Sequence, residues 1–257
     1  EYGAFICGNQ IQLDVSKENF ISVINVFNQI EAAKAYLFAN SEFPDSSWNT
    51  KIARDIFWEQ SMHGILQENA GVNLKDFQNE DEFFSYLSKS AVFTAKRGDQ
   101  DYYFFPIPAI DYLSHEKIKA YNLSGETVEL TPKQEDFENH RSYQYQDLTT
   151  RGTVEFRSVC AQPFDRTFIS TAFHLGILAN LENVQKYLQE TDFFKKEGRN
   201  YKQLRQKFSK KEISGSAATH VRNFANDLIQ LAIVGLVARN NGEEFYLKNL
   251  IVKEKEE

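Results

Sequence analysis

The chain has 257 residues, of which 42% are hydrophobic and 25% charged, and its formal net charge is −7. The length suits one large domain or a large part of one enzyme, and the composition is that of a soluble protein. The acidic balance argues against a protein that binds nucleic acid. Cys7 and Cys160 are the only cysteines, too few for a disulfide framework, which favours a reduced, cytoplasmic setting.

The first predicted element is a half-buried strand over residues 10–15. Its sequence, Gln-Ile-Gln-Leu-Asp-Val, alternates strictly between polar and apolar residues, as expected when one face lies on the core. Gln10, Gln12 and Asp14 share the polar face, where they offer donors and acceptors to an amino-acid substrate. A solvent-exposed edge strand would explain the same pattern.

Two helical segments are predicted next. Apolar residues recur at helical spacing from Phe20 to Leu37, and Ser16 is the predicted N-cap. A second helix or helical turn is predicted over residues 47–60, and it carries Arg54 and Trp58.

The middle of the chain carries a hairpin signal. Residues 91–95 and 102–106 resemble strands, and they flank the turn-forming segment Arg97-Gly98-Asp99. A short amphipathic helix is predicted over residues 82–89 and a polar helix over residues 133–143.

A second strand, predicted over residues 151–157, carries the residues best suited to chemistry. Its period of two places Arg151, Thr153, Glu155 and Arg157 on one face. A carboxylate such as Glu155 can hold Mg²⁺, and the planar guanidinium of Arg157 can bind phosphate. A solvated strand face with an ordinary ion pair is the alternative interpretation.

From Asp165 onward the chain is predicted to be helical, ending in a long apolar helix over residues 217–238. The basic stretch over residues 195–211 is interpreted as a solvated helix face, with contact to a nucleotide or an acidic partner as the alternative. The longest apolar stretch, Leu228 to Val237, contains Gln230 and is too short to span a bilayer, so no membrane contact is expected. Strands and hairpins followed by helices indicate an α+β fold.

Five histidines are present, and only His140 has a suggestive context, the segment Glu138-Asn139-His140-Arg141. A neutral histidine there could ligate a metal or bind phosphate, although a surface histidine is the simpler interpretation. His174 and His220 are predicted to be packing residues, and Cys160 a structural one. The sequence has no zinc spacing, P-loop, dinucleotide fingerprint or nucleophile elbow.

Taken in order, four short segments resemble the glutamate–cysteine ligase family of the plant and bacterial type. They are Gln10-Ile11-Gln12-Leu13-Asp14; Leu37-Phe38-Ala39-Asn40-Ser41-Glu42-Phe43; Arg54 with Trp58; and Asp136-Phe137-Glu138-Asn139-His140 leading into Val154-Glu155-Phe156-Arg157. The tail segments Gly235-Leu236-Val237-Ala238-Arg239 and Gly242-Glu243-Glu244-Phe245 are similar as well. Each motif is degenerate, so their order and spacing carry the resemblance.

The resemblance implies a glutamine-synthetase-like fold, in which a curved antiparallel sheet cups the site and helices pack outside. It implies a single catalytic-domain fragment, residues 1–257, that uses ATP and Mg²⁺ to phosphorylate the γ-carboxylate of glutamate. The amine of cysteine then displaces phosphate, and catalysis is largely positioning and charge stabilisation.

By position, the resemblance also implies roles for individual residues. Glu155 would be a Mg²⁺ ligand, and Arg157 would hold the transferring phosphoryl group or a substrate carboxylate. Arg54 would bind a substrate carboxylate, and His140 would lie near phosphate or metal. Gln10 and Gln12 would line the glutamate or metal pocket.

One departure from the family is the absence of a Glu-x-Glu strand ahead of Gln10. The chain also opens at Glu1 without an initiator methionine. We therefore expect an N-terminally truncated chain that is inactive alone but partly folded.

Three alternatives stay open. A related ligase could join glutamate to another amine, since the sequence does not define the acceptor pocket. A non-catalytic fragment could bind a nucleotide or a partner protein. A guanidino kinase would share the fold, but no reactive cysteine loop is recognisable.

Overall fold

The computed structural model describes residues 6–43, 47–140, 142–248 and 250, apart from the side chain of Asn139. The chain divides into two compact units. Unit 1 comprises Glu1–Arg54, Val72–Asp76 and Tyr145–Glu257, and unit 2 comprises Asp55–Gly71 and Phe77–Gln144. The sequence, which suggests one catalytic domain, gives no sign of this division.

Three strands form an antiparallel sheet in unit 1: β1 (Ile11–Asp14), β8 (Gln146–Leu148) and β9 (Thr153–Phe156). β9 is the central strand. Both strands predicted from alternation are therefore confirmed, with shorter ends, and they pair directly with each other.

Unit 2 contains the predicted hairpin within a four-stranded antiparallel sheet. Its strands, in sheet order, are β3 (Ala91–Arg97), β4 (Gln100–Pro108), β5 (Ile118–Tyr121) and β6 (Thr127–Leu130). Gly98 takes a positive φ of 61° in the β3–β4 turn, a conformation that favours glycine. A short parallel pair joins β2 (Ala70–Gly71) to β7 (Tyr143–Gln144).

Helices make up the larger share of the regular structure. They are α1 (Phe20–Gln29), α2 (Glu31–Phe38), α3 (Ala53–Glu59), α4 (Glu80–Leu87), α5 (Ala109–Tyr112), α6 (Thr167–Ala179), α7 (Leu181–Glu190), α8 (Asp192–Glu197), α9 (Tyr201–Phe208) and α10 (Gly215–Arg239). The predicted mixture of helices with antiparallel sheets is confirmed. The helix predicted over residues 133–143 is instead a 3₁₀ helix, Gln134–Asn139, followed by β7.

The first predicted helix differs from the structure in two respects. It begins at Phe20, and Asn19 rather than Ser16 occupies the cap position, without a side-chain cap hydrogen bond. It also breaks at Ile30, which ends α1 and precedes α2. Ile30 is fully buried, so the apolar periodicity continues across the break and the sequence pattern cannot reveal it.

The apolar face of the unit 1 sheet is covered by helices, as predicted. Val154 and Phe156 are fully buried. The ring of Phe156 lies 4.2 Å from that of Phe27 on α1 and 5.1 Å from that of His174 on α6. These contacts leave the opposite face of the sheet for polar residues.

Two glycines let α6 and α10 approach closely. A Cβ at Gly176 would clash with the carbonyl oxygen of Ala232, and one at Gly235 with the carbonyl oxygen of Gly176. Because both obstacles are backbone atoms, no side-chain rotation can relieve the clash.

We expect Gly176→Ala to destabilise the protein by about 1–3 kcal/mol, although alanine is the better helix former by about 1 kcal/mol. The clash with α10 outweighs the gain in helix propensity, so the net change in unfolding free energy is destabilising. Urea unfolding followed by circular dichroism measures the change. Asn223→Ala on the exposed side of α10 is the control and should be neutral or slightly stabilising; equal effects of both variants would contradict the close approach.

Among the described residues, α10 is the one helix whose length and apolar composition would allow it to cross a membrane. It is much longer than the stretch from Leu228 to Val237. In unit 1 its buried residues, such as Phe224 and Leu228, pack within the protein, and core helices commonly meet the same criteria. This feature is therefore weak evidence for a membrane span.

Candidate active site

Three polar side chains form a row across the unit 1 sheet. Gln12 on β1 and Asp147 on β8 each lie directly opposite Glu155 on β9. Residues directly opposite in antiparallel strands project to the same face. The row therefore lies on the face away from Val154 and Phe156, as the alternation predicts.

Glu155 is hydrogen-bonded at both carboxylate oxygens. Oε1 accepts from Arg157 Nε at 3.0 Å and lies 2.8 Å from Arg157 Nη2. Oε2 accepts from Gln12 Nε2 at 2.9 Å. Gln12 Oε1 in turn accepts from Arg151 Nη2 at 2.5 Å. These bonds fix the orientation of the carboxylate and connect the two predicted strands through their side chains.

Asp147 is a member of this network that the sequence pattern does not predict. Its Oδ2 lies 3.7 Å from Arg157 Nη2, and its side chain is 9% exposed. β8 has three residues, too few to show the alternation of polar and apolar residues that predicts a strand. The glycine at position 152 is the signal that the sequence offers, because glycine is favoured in tight turns. In the structure Gly152 has a φ of 81° and its N–H donates to the Thr149 carbonyl at 3.0 Å. A hairpin prediction from Gly152 would have placed Asp147 on the polar face.

Arg54 contacts the backbone that follows β9. It is 3% exposed, and its Nη1 donates to the carbonyl oxygens of Arg157 at 2.7 Å and Val159 at 2.9 Å. Gly8 lies against the same guanidinium, where a Cβ would come within 2.9 Å of Nη2. This placement shows that Arg54 holds the Arg157 segment. Its contact with a substrate carboxylate stays a prediction.

We expect Arg54→Lys to destabilise the protein by about 1–3 kcal/mol, because the shorter lysine side chain cannot place its ammonium where Nη1 donates to both carbonyls. Chemical denaturation measures the loss. The exposed Arg166 supplies the control Arg166→Lys, which should stay within about 0.5 kcal/mol of the parent. If Arg54→Lys is as stable as the parent but binds glutamate more weakly, Arg54 contacts the substrate as predicted and does not stabilise the fold.

A buried ionic cluster lies on the other side of the same sheet. Glu31 accepts hydrogen bonds from Lys34 and Arg205, each at 2.6 Å, and from Gln146. Burial alone would raise the pKa of Glu31, but the two cations outweigh burial and lower it. Burial is the largest influence on Lys34 and lowers its pKa. Arg205 is 2% exposed, so the prediction of a solvated face over residues 195–211 is wrong at this residue.

His174 is a packing residue, as predicted. It is fully buried, and its ring stacks on Phe27 at 5.2 Å. Burial lowers its pKa well below the ordinary value, with a further contribution from Lys34. His220, predicted to pack in the same way, is instead partly exposed, with Nδ1 2.6 Å from Glu197 Oε1.

The remaining predicted site residues have their own surroundings. Gln10 is exposed just ahead of β1. His140 belongs to unit 2, where its Nε2 lies 3.2 Å from Ser90 Oγ and its ring contacts Phe137. The structure therefore brings together Gln12, Glu155 and Arg157 among the residues predicted for the site.

The donor set on the polar face fits part of a magnesium site. Within residues 6–43, 47–140, 142–248 and 250, no group of three or more His, Cys, Asp or Glu side chains could hold a metal ion. Glu155 and Asp147 offer two carboxylates, and Mg²⁺ is commonly bound by one or two carboxylates with waters and substrate phosphates.

No protein-family model and no curated protein matches this chain.

Proposed function

We propose that this chain belongs to an ATP-dependent ligase that joins glutamate to the amine of cysteine through γ-glutamyl phosphate. The observation that carries the proposal is the pair formed by Glu155 and Arg157 on the polar face of the sheet. A fixed carboxylate beside a guanidinium supplies one group for a metal ion and one for phosphate oxygens. We also propose a cytoplasmic setting, because Cys7 and Cys160 are free thiols. The glutamine-synthetase-like fold is proposed from the order of the motifs that resemble the ligase family.

The residues of the polar face would act mainly by position and charge. Arg157 would bind phosphoryl oxygens through its planar fork and stabilise the charge that develops as the phosphoryl group transfers. Glu155 would hold Mg²⁺, which when bound neutralises phosphate charge. Gln12, fixed by Glu155 and Arg151, would orient Glu155 and present its carboxamide to the substrate.

The test is phosphate release by the full-length protein with ATP, Mg²⁺, glutamate and a panel of amines. We expect release that requires glutamate and is fastest with cysteine. A different preferred amine would support the related carboxylate–amine ligase. Binding of ATP without phosphate release under any condition would overturn the ligase proposal in favour of a non-catalytic nucleotide-binding protein.

A further inference from the structure

We infer that Asp147 is a positioning residue of this site, which holds the Arg157 guanidinium from the neighbouring strand. The inference rests on the proposed function for its catalytic meaning, because Arg157 is the residue proposed to bind the phosphoryl group. The contact between Asp147 and Arg157 is itself a property of the folded chain.

The strand register brings these two residues together. Asp147 lies directly opposite Glu155, and the Arg157 N–H donates to the Tyr145 carbonyl at 3.0 Å, which extends the pairing of the two strands by one residue. Arg157 and Asp147 are thus diagonal neighbours on one sheet face, a spacing that long side chains can bridge.

The two carboxylates restrain Arg157 in different ways. Glu155 binds Nε and Nη2 from the same strand, two residues away. Asp147 lies 3.7 Å from Nη2 and belongs to the adjacent strand, so it acts by charge rather than by a hydrogen bond. A restraint from a second strand limits rotation of the guanidinium that a pair within one strand would allow.

Burial makes this charge contact effective. The Arg157 side chain is 10% exposed and that of Asp147 is 9% exposed, so water screens the attraction less than it would at the surface. A charge held in this way can fix the direction of a guanidinium before a phosphoryl group arrives, which is the usual means by which neighbouring residues support a catalytic group.

Two measurements on the full-length protein test the inference. The first is a double-mutant cycle without ligand, using Asp147→Asn, Arg157→Gln and the double variant in urea unfolding. The effects on the unfolding equilibrium constant should depart from additivity by about fivefold or more. Additive effects would overturn the inference whether or not the protein is a ligase.

The second measurement is steady-state kinetics. Asp147→Asn keeps the side-chain volume and should lower kcat by about tenfold, with the KM for ATP changed by less than about twofold. Asp147→Glu should recover part of the loss, because it restores the charge. Asp165→Asn, which removes an exposed carboxylate ahead of α6 in unit 1, is the control and should leave both constants unchanged.

The outcomes separate the inference from the proposed function. If the parent protein releases phosphate and Asp147→Asn has the same kcat, Asp147 does not position Arg157 for catalysis. If the parent protein releases no phosphate with any amine, the proposed function fails. The double-mutant cycle then still decides whether Asp147 holds Arg157.

Discussion

Replacing Glu31 by Gln should destabilise the protein by about 3–5 kcal/mol, the largest stability effect that we expect from a single substitution. Glu31 is fully buried and is the carboxylate shared by Lys34 and Arg205. Gln keeps the size and one oxygen but removes the charge, which leaves two buried cations without their counter-ion. Urea unfolding of the parent and the variant measures the difference.

A surface ion pair supplies the matched control for Glu31. Glu42 lies 2.9 Å from Lys211, with side chains 51% and 33% exposed, and Glu42→Gln should change stability by less than about 1 kcal/mol. Similar losses in the two variants would contradict the importance that we assign to burial.

Lys34→Met should cost far less than Glu31→Gln. Arg205 would remain to pair with Glu31, so the cluster would be balanced at one cation for one carboxylate. Lys34 is fully buried, and methionine fills similar apolar space without a charge to desolvate. A loss as large as that of Glu31→Gln would mean that the cluster depends on both cations.

The same cluster gives stability a defined pH dependence. The pKa of Glu31 is lower in the folded protein than its ordinary 4.5, so the unfolded state binds more protons in that range. The contribution of Glu31 is therefore fully present above about pH 4.5 and lost as the pH falls through the lower, folded-state pKa. Glu31→Gln should flatten this part of an acid-unfolding profile.

Glu155→Gln should reduce turnover by about 100-fold or more and raise the Mg²⁺ concentration needed for activity. Gln keeps an oxygen for Arg157 but lacks the charge that attracts the metal ion. We expect the fold to persist, because the residue lies on the polar face and the core side of β9 is unchanged. Phosphate release measured across a Mg²⁺ titration is the test.

The control for Glu155 is Glu129→Gln, at an exposed carboxylate on β6 in unit 2. It should match the parent at every Mg²⁺ concentration. Unchanged activity of Glu155→Gln at limiting Mg²⁺ would remove Glu155 from the proposed metal site. Loss of folding in that variant, seen by circular dichroism, would instead make Glu155 a structural residue.

The sequence alone determined the polar face of two strands. Strict alternation over residues 10–15 and around Glu155 placed Gln12, Glu155 and Arg157 away from the core, because the period of a strand is two whatever its partner. The long apolar helix was also predicted from the sequence, because its apolar pattern runs over many turns. The order of the family motifs also led to the ligase proposal.

Tertiary structure decided what these residues contact. Asp147 joined the site only because β8 pairs with β9, and a strand of three residues carries too little pattern to be read in isolation. The sequence predicts a solvated position for Arg205, yet the residue is buried against Glu31, which lies 174 residues away in the chain. For Arg54 the sequence predicts a contact with a substrate carboxylate, and the structure adds that its Nη1 donates to two carbonyls that follow β9. In each case the partner is distant in the chain, and a single sequence records residue types and local periods but not which distant segments meet.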